Sequence, residues 1–157
     1  MLKPNSTRKF QAVGGHFAIV ASRYNARYVD AMLRAAKAEL RRAGAPRVEI
    51  IRVPGAYEIP VVAARLGRLR AGSLDGIICL GVIIRGQTSH AEHIGRAVSQ
   101  GLMEIQLRQE VPVIHEVLLL EDEEQARERC LAKKCNRGTE AAQTALAMAG
   151  VMRGLQK

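Results

Sequence analysis

Short apolar runs rich in β-branched residues alternate along the chain with longer segments of mixed character. Each run is bounded by Gly, Pro or charged residues, which is typical of a strand buried in a parallel sheet. We therefore predict four strands, at 16–22, 48–53, 76–84 and 111–120.

The segments between the strands carry apolar residues at every third or fourth position, the spacing of a helix with one buried face. Gly44 marks the end of the first helix, and Pro60 is tolerated only in the first turn of the second. After Leu120 we predict a charged, exposed helix over EDEEQARERCLAKK and a closely packed, Ala-rich helix over TEAAQTALAMAGVM. The helical spacing is clearest for Val29, Met32, Leu33, Ala36 and Leu40, and for Ile94, Ala97, Val98, Gly101, Leu102 and Ile105.

Strict alternation of strands and helices predicts the fold class. Helices on both faces of a mainly parallel sheet, joined by right-handed crossovers, give a three-layer α/β/α sandwich with a four-stranded, flavodoxin-like sheet. Residues 1–157 fit a single domain, of which we expect 1–14 to form a flexible N-terminal segment. In such sheets ligands bind beyond the carboxyl ends of the strands, so the residues there are the functional candidates.

Composition narrows the range of partners. An excess of 24 Lys and Arg over 15 Asp and Glu gives a formal charge of +9, which favours an anionic ligand. Nucleic acid is not expected as the main partner, because no aromatic stacking platform or RNP-type pattern is present. The apolar runs are shorter than the roughly 20 residues that span a bilayer, so no membrane association is expected. Three cysteines without a Cys-x-x-Cys motif, and no signal peptide, indicate the reducing cytoplasm.

The stretch GVIIRGQTSHAEH, residues 81–93, joins the third strand to the third helix. The N–H groups of the first helical turn and the helix dipole favour an anion such as phosphate. Ser89 and Glu92, however, have the spacing of a capping box, which would satisfy the same donors internally. His90 and His93 are three residues apart and could bind a metal. Because there is no His-Glu-x-x-His motif, solvation or proton transfer is the better interpretation, and no metal is predicted.

The other strands also carry polar or aromatic residues. The first ends in SRYN, where Tyr24 could stack on a flat ring or close the core, with Asn25 beside it. The second ends in VPGAYEIP, where Glu58 could compensate a helix dipole or accept hydrogen bonds from a polyhydroxylated ligand. The fourth contains His115. We expect all four strands to send such residues to one rim.

These motifs occur together in an order that resembles one known family. The segments SRYN, VPGAYEIP, LGVIIRGQTSHAEH, VPVIHEVL, QARERC and NRGTEAA, between about His16 and Met152, are similar to segments of lumazine synthases. The resemblance implies condensation of 5-amino-6-(D-ribitylamino)uracil with 3,4-dihydroxy-2-butanone 4-phosphate to 6,7-dimethyl-8-ribityllumazine, phosphate and water, the penultimate step of riboflavin biosynthesis. It implies no metal or organic cofactor, and riboflavin synthase as the downstream enzyme.

The resemblance also assigns roles to individual residues. His90 is implied as the proton-transfer residue. The phosphate is implied to bind the N–H groups of Gln87 and Thr88 and the side chain of Arg129. The ribitylaminouracil site is implied to comprise Tyr24, Asn25, Ala56, Tyr57, Glu58, Val82, Ile83, Ile84, His115 and Arg137.

Lumazine synthases form homopentamers with active sites between subunits, and some assemble into decamers or 60-subunit shells. In this chain, His115 stands where an aromatic residue, usually Phe, is expected beside the pyrimidine, which could weaken that substrate. Leu131 and Cys135 replace glycines in the turn ERCLAKKCNRG. Since Gly permits backbone conformations that Leu and Cys do not favour, we expect an isolated pentamer. The alternative to an enzyme is a non-catalytic flavin- or lumazine-binding protein, or a scaffold oligomer, of the same fold.

Overall fold

The computed structural model describes residues 15–156, so the predicted flexible segment 1–14 lies outside the described residues. Strands and helices alternate along this part of the chain as predicted. The elements are β1 (His16–Ser22), α1 (Ala26–Arg42), β2 (Arg47–Val53), a 3-10 turn (Ala56–Glu58), α2 (Ile59–Leu69), β3 (Gly76–Ile84), α3 (His90–Gln109), β4 (Val113–Leu120), α4 (Glu123–Cys130) and α5 (Arg137–Gly154).

The described sheet is parallel throughout and has the strand order β2-β1-β3-β4. Side chains of β3 alternate between its two faces. Ile78 and Leu80 pack with α1, α4 and α5, whereas Ile77 and Cys79 pack with α2 and α3. The predicted three-layer sandwich with a flavodoxin-like sheet is therefore confirmed. Among residues 15–156, no helix combines the length and the apolar character needed to cross a bilayer.

The charged helix is shorter than predicted. The pattern predicted a helix as far as Lys134, whereas α4 ends at Cys130. Asn136 accounts for the difference, because its side-chain amide donates a hydrogen bond to the Cys130 carbonyl. Its side-chain oxygen accepts a second hydrogen bond, of 2.9 Å, from the N–H of Gly138. One residue thus ties the end of α4 to the start of α5.

The turn between α4 and α5 accommodates the two residues that replace glycine in it. Leu131 follows α4 in a right-handed conformation, with φ −105° and ψ −26°. In the described chain, the non-glycine residues with positive φ are Asn25 and Glu110, so Cys135 also lies outside the left-handed region. Backbone strain in this turn therefore gives no reason to prefer an isolated pentamer to a larger assembly.

Helices α1 and α5 approach closely because small residues line α5. Ala142 and Ala145 are completely buried in this contact. A Cβ atom on Gly138 would overlap the carbonyl group of Met32. Since that group is backbone, it cannot rotate aside, and the close approach requires glycine at this position.

We predict that Gly138→Ala lowers the free energy of unfolding by about 1–3 kcal/mol, because the two helix backbones must separate. Gly150 is the matched control, since it lies on the same helix and, beyond its own helical neighbours, no described residue comes within 4 Å of an added Cβ. Gly150→Ala should leave stability unchanged or raise it by up to about 1 kcal/mol through helix propensity. Urea denaturation at one protein concentration measures both effects. Equal stabilities of the two variants would contradict the packing argument.

Candidate active site

A cavity of about 720 Å³ lies at the carboxyl edge of the sheet. This volume suits a ligand of the size of a substituted pyrimidine. A second cavity, of about 480 Å³, lies at the opposite edge, beside Asp75 and Pro112, which precede β3 and β4. The first is the candidate site, because its lining joins three strand ends to the start of α3: Tyr24, Asn25, Gly55, Ala56, Tyr57, Glu58, Val82, Ile83, Ile84, His90, His93, Ile94 and Ala97.

Asn25 fixes the loop after β1 over this cavity. It adopts a left-handed conformation, with φ 55°, which Asn tolerates better than most residues. Its Nδ2 donates a hydrogen bond of 2.8 Å to the carbonyl of Val82 on β3. The N–H of Tyr24 donates to the carbonyl of Pro54 at 3.1 Å, which ties the loop to the end of β2 as well. The Tyr24 ring is 72% exposed and is therefore available for stacking.

Glu58 reaches back across the 3-10 turn that follows β2. Its Oε2 accepts a hydrogen bond of 2.8 Å from the N–H of Gly55, and its Oε1 has no partner among the described residues. A Cβ atom on Gly55 would lie 2.9 Å from this carboxylate and 3.1 Å from the Tyr24 ring, so glycine permits their close approach. Glu58 is thus a local capping residue and also offers one carboxylate oxygen beside the cavity.

The capping box that the spacing of Ser89 and Glu92 allows at the start of α3 does not form. The Glu92 carboxylate is bound instead by the guanidinium of Arg85, whose Nε also binds Glu121 at 2.9 Å. The Ser89 hydroxyl lies 3.3 Å from the His93 ring and makes no capping hydrogen bond. This alternative to an anion site fails because partners outside the motif engage both of its side chains. The first-turn N–H groups are therefore left without the acceptors that the motif would supply.

His90 is the first residue of α3, and its exposed side chain lines the cavity. Its N–H lies 3.4 Å from the Thr88 hydroxyl, which is a long contact. Gln87 and Thr88 lie in the exposed loop just before His90 and do not line the cavity. Across residues 15–156, no three side chains of His, Cys, Asp or Glu are grouped as metal ligands would be. The arrangement offers an imidazole beside a polar loop.

His115 does not lie at the rim of the sheet. It pairs with Cys79, and β4 continues beyond it to Leu120. Its Nε2 lies 2.8 Å from the hydroxyl of Ser99 on α3, and the Val117 N–H donates to its Nδ1 at 3.4 Å. Burial lowers the pKa of the His115 imidazole. The expectation that all four strands contribute to one rim is therefore wrong for β4, because His115 occurs too early in that strand.

Arg129 and Arg137 lie outside the cavity of their own chain. Arg129 belongs to α4, which packs on the sheet face opposite α3, and it has no carboxylate partner among residues 15–156. Arg137 opens α5 and binds Glu116 at 2.6 Å and Glu140 at 2.5 Å. Burial raises the pKa of Glu116, and the charge of Arg137 opposes that rise. A single chain therefore brings neither guanidinium into the candidate site.

Sequence reasoning did not assign four of the cavity residues as substrate contacts. Gly55 belongs to the VPGAYEIP motif, and its lack of a side chain leaves room for the Glu58 carboxylate and the Tyr24 ring. The other three lie three, four and seven residues after His90 and so share its face of α3: His93, Ile94 and Ala97. Helical spacing counted from His90 would have identified them.

Comparison with known proteins points to the same family as the motifs. The family model described as 6,7-dimethyl-8-ribityllumazine synthase matches residues 14–153. The 6,7-dimethyl-8-ribityllumazine synthase of Xanthomonas oryzae pv. oryzae is 42% identical over 138 residues, which cover 87% of this chain and 88% of that protein. The protein of the same name from Halorhodospira halophila is 41% identical over 142 residues, which cover 89% and 90%. The resemblance found in the sequence is thereby confirmed, and the chain belongs to the 6,7-dimethyl-8-ribityllumazine synthase family.

Proposed function

We propose that the protein condenses 5-amino-6-(D-ribitylamino)uracil with 3,4-dihydroxy-2-butanone 4-phosphate to give 6,7-dimethyl-8-ribityllumazine. It is then a transferase of riboflavin biosynthesis. The observation that carries the proposal is the convergence of Tyr24, Glu58 and His90 on one cavity from three strand ends. These residues offer a stacking ring, a carboxylate for hydroxyl groups and an imidazole for proton transfer, which together suit the two substrates.

The ribitylaminouracil occupies the cavity in this proposal. Its flat ring lies between Tyr24 and the last residues of β3, where Ile83 packs toward α3 and Val82 and Ile84 also line the cavity. The partner-free Oε1 of Glu58 accepts hydrogen bonds from ribityl hydroxyls. Ala56, Tyr57 and Asn25 complete the pocket around the ring.

The phosphate of the second substrate binds at the start of α3. Gln87 and Thr88 supply backbone N–H groups, and the helix dipole adds a favourable field. Arg129 supplies a guanidinium, whose planar fork pairs well with phosphate oxygens. Since Arg129 lies outside the cavity of its own chain, we assign this contact to Arg129 of a neighbouring subunit.

We infer a homopentamer as the basic assembly, with each active site between two subunits. His115 and Arg137, like Arg129, are placed outside the cavity of their own chain, so a neighbour must bring them to it. Exposed apolar side chains on two helices favour association. Val61 on α2 is 68% exposed, and Met103 and Leu107 on α3 are 53% and 70% exposed. An interface over these helices would remove that apolar surface from water.

We place the protein in the reducing cytoplasm. Cys79, Cys130 and Cys135 are all free thiols, and the first two are buried. Burial raises the pKa of Cys130 to about 11, so this thiol is unreactive at neutral pH. Unpaired cysteines of this kind are typical of proteins that work where disulfides do not persist.

The reaction joins intrinsically reactive partners and moves a proton in each step. The ring amine attacks the ketone, and one water leaves as the imine forms. Phosphate is then eliminated, and ring closure releases a second water. An imidazole, which titrates near neutral pH, can assist these transfers, and this is the role of His90. Most of the rate gain comes from holding the two substrates together in the correct orientation.

Mixing the protein with both substrates should generate the fluorescent lumazine well above the uncatalysed rate. Omitting either substrate is the control, because the product requires carbon atoms from both. A folded protein that binds the lumazine but gives no signal above background would contradict the proposal. That result would support the non-catalytic binding protein instead.

We predict that His90→Ala lowers kcat by about tenfold to a hundredfold, at or below the low end of general acid–base assistance. The effect is limited because substrate positioning is preserved. His93→Ala removes the second imidazole that lines the cavity and should cost less than about threefold. Steady-state measurement of product fluorescence compares the two variants. An equal loss in both would remove the specific role of His90.

Subunit complementation tests whether Arg129 acts across an interface. Arg129→Ala should raise KM for the phosphorylated substrate, whereas Arg127→Ala should not, since Arg127 already pairs with Glu123 at 3.6 Å. Refolding Arg129→Ala together with His90→Ala in equal amounts should restore about a quarter of the sites. In those sites, a cavity with an intact His90 meets a neighbouring subunit with an intact Arg129. A mixture no more active than the average of its two components would place Arg129 elsewhere.

A further inference from the structure

Arg85 joins the phosphate-binding loop to two carboxylates from different elements. Its Nη1 binds Glu92 in the first turn of α3, and its Nε binds Glu121, just after β4, at 2.9 Å. The N–H of Arg85 also donates to the Leu120 carbonyl at 2.8 Å, which extends the pairing of β3 with β4 by one residue. The backbone of Arg85 is therefore fixed to the sheet, and its guanidinium binds Glu92 from that fixed position.

The Glu92 carboxylate lies in an unfavourable environment. In a capping box, Glu92 would reach back and accept a hydrogen bond from the N–H of Ser89. In the structure its Oε2 is buried and has no hydrogen-bond partner in the described chain. An unpaired, buried carboxylate oxygen is unfavourable, so an attraction elsewhere must hold the side chain there. The ion pair with Arg85 provides that attraction.

We propose that Arg85 is a positioning residue for the phosphorylated substrate, because it holds the Glu92 carboxylate away from the first turn of α3. This inference rests on the proposed function, in which the phosphate occupies the start of α3. Without Arg85, Glu92 could accept a hydrogen bond from the N–H of Ser89. Its carboxylate would then add a negative charge beside that of the phosphate at the same helix end. The substrate phosphate and the Glu92 carboxylate would then compete for the positive end of the same helix.

A direct contact between Arg85 and phosphate is the less favourable interpretation. The cluster of Arg85, Glu92 and Glu121 carries one positive and two negative charges, so its net charge repels an anion. Two of the three guanidinium nitrogens, Nη1 and Nε, are already engaged by carboxylates. Arg85 thus acts on the substrate through Glu92 and not through its own charge.

The test is Arg85→Ala with KM measured separately for the two substrates. We expect KM for the phosphorylated substrate to rise by about threefold to thirtyfold, while kcat and KM for the pyrimidine stay within about twofold. The inhibition constant of inorganic phosphate, used as a non-reacting competitor, should rise by the same factor. Arg108→Ala on α3 is the control, since Arg108 already pairs with the exposed Glu104 near the far end of that helix.

Second substitutions separate the position of Glu92 from a general effect of charge. Arg85→Ala with Glu92→Ala should restore KM, because no side chain can then reach the Ser89 N–H. Arg85→Ala with Glu121→Ala has the same net charge but keeps Glu92, so it should not restore KM. Arg85→Ala with Glu92→Gln should restore KM only in part, since the neutral amide can still cap the helix.

Three results would overturn the inference. An unchanged KM in Arg85→Ala would show that Glu92 does not compete with the phosphate. A raised KM that Glu92→Ala does not rescue would indicate a direct phosphate contact or a disturbed loop. Equal rescue by Glu92→Ala and Glu121→Ala would reduce the effect to net charge. If the parent protein itself makes no lumazine, the proposed function fails, and the inhibition experiment is replaced by direct titration of inorganic phosphate into parent and Arg85→Ala.

Discussion

Parallel pairing of β1 with β3 is the constraint on which the site depends. The register aligns Ala21 with Leu80, so the residues after β1 meet the last residues of β3 at one edge of the sheet. The hydrogen bond from Asn25 to the Val82 carbonyl closes this junction. A slip of one residue in the register would turn the alternate side chains of β3 to the opposite face and turn Ile83 away from α3. The chemistry at the rim is therefore set by backbone pairing within the core.

Sequence patterns predicted the fold well because burial and helical periodicity are local signals. The strands at 16–22 and 76–84 have the predicted bounds, and the residues that follow β1, β2 and β3 meet in one cavity. The depth of His115 was visible in the sequence as well, because the strand predicted at 111–120 already extends five residues beyond it. In this sheet His115 is opposite Cys79, well before the edge.

Two departures from local rules near the helix ends have a common physical cause. A capping rule considers only residues a few positions apart in the sequence. Arg85 is held by Glu121, which follows a different strand, and its guanidinium is thereby oriented to bind Glu92. Asn136 similarly ends α4 by bonding the Cys130 carbonyl from beyond the turn. The missing cap on α3 costs about 1 kcal/mol. That cost lies beside the candidate site, where local rules of stability are most often broken.

Charge placement explains why the proposed site needs a second subunit. Arg85 and Arg137 each bind two carboxylates, so each cluster is negative overall and cannot attract a phosphate. Arg129 has no such partner among residues 15–156, yet α4 carries it on the sheet face opposite α3. None of these three guanidiniums is therefore available to a phosphate in the cavity of its own chain. In the proposed pentamer, association supplies a guanidinium and covers the apolar residues of α2 and α3, so one interface serves both stability and substrate binding.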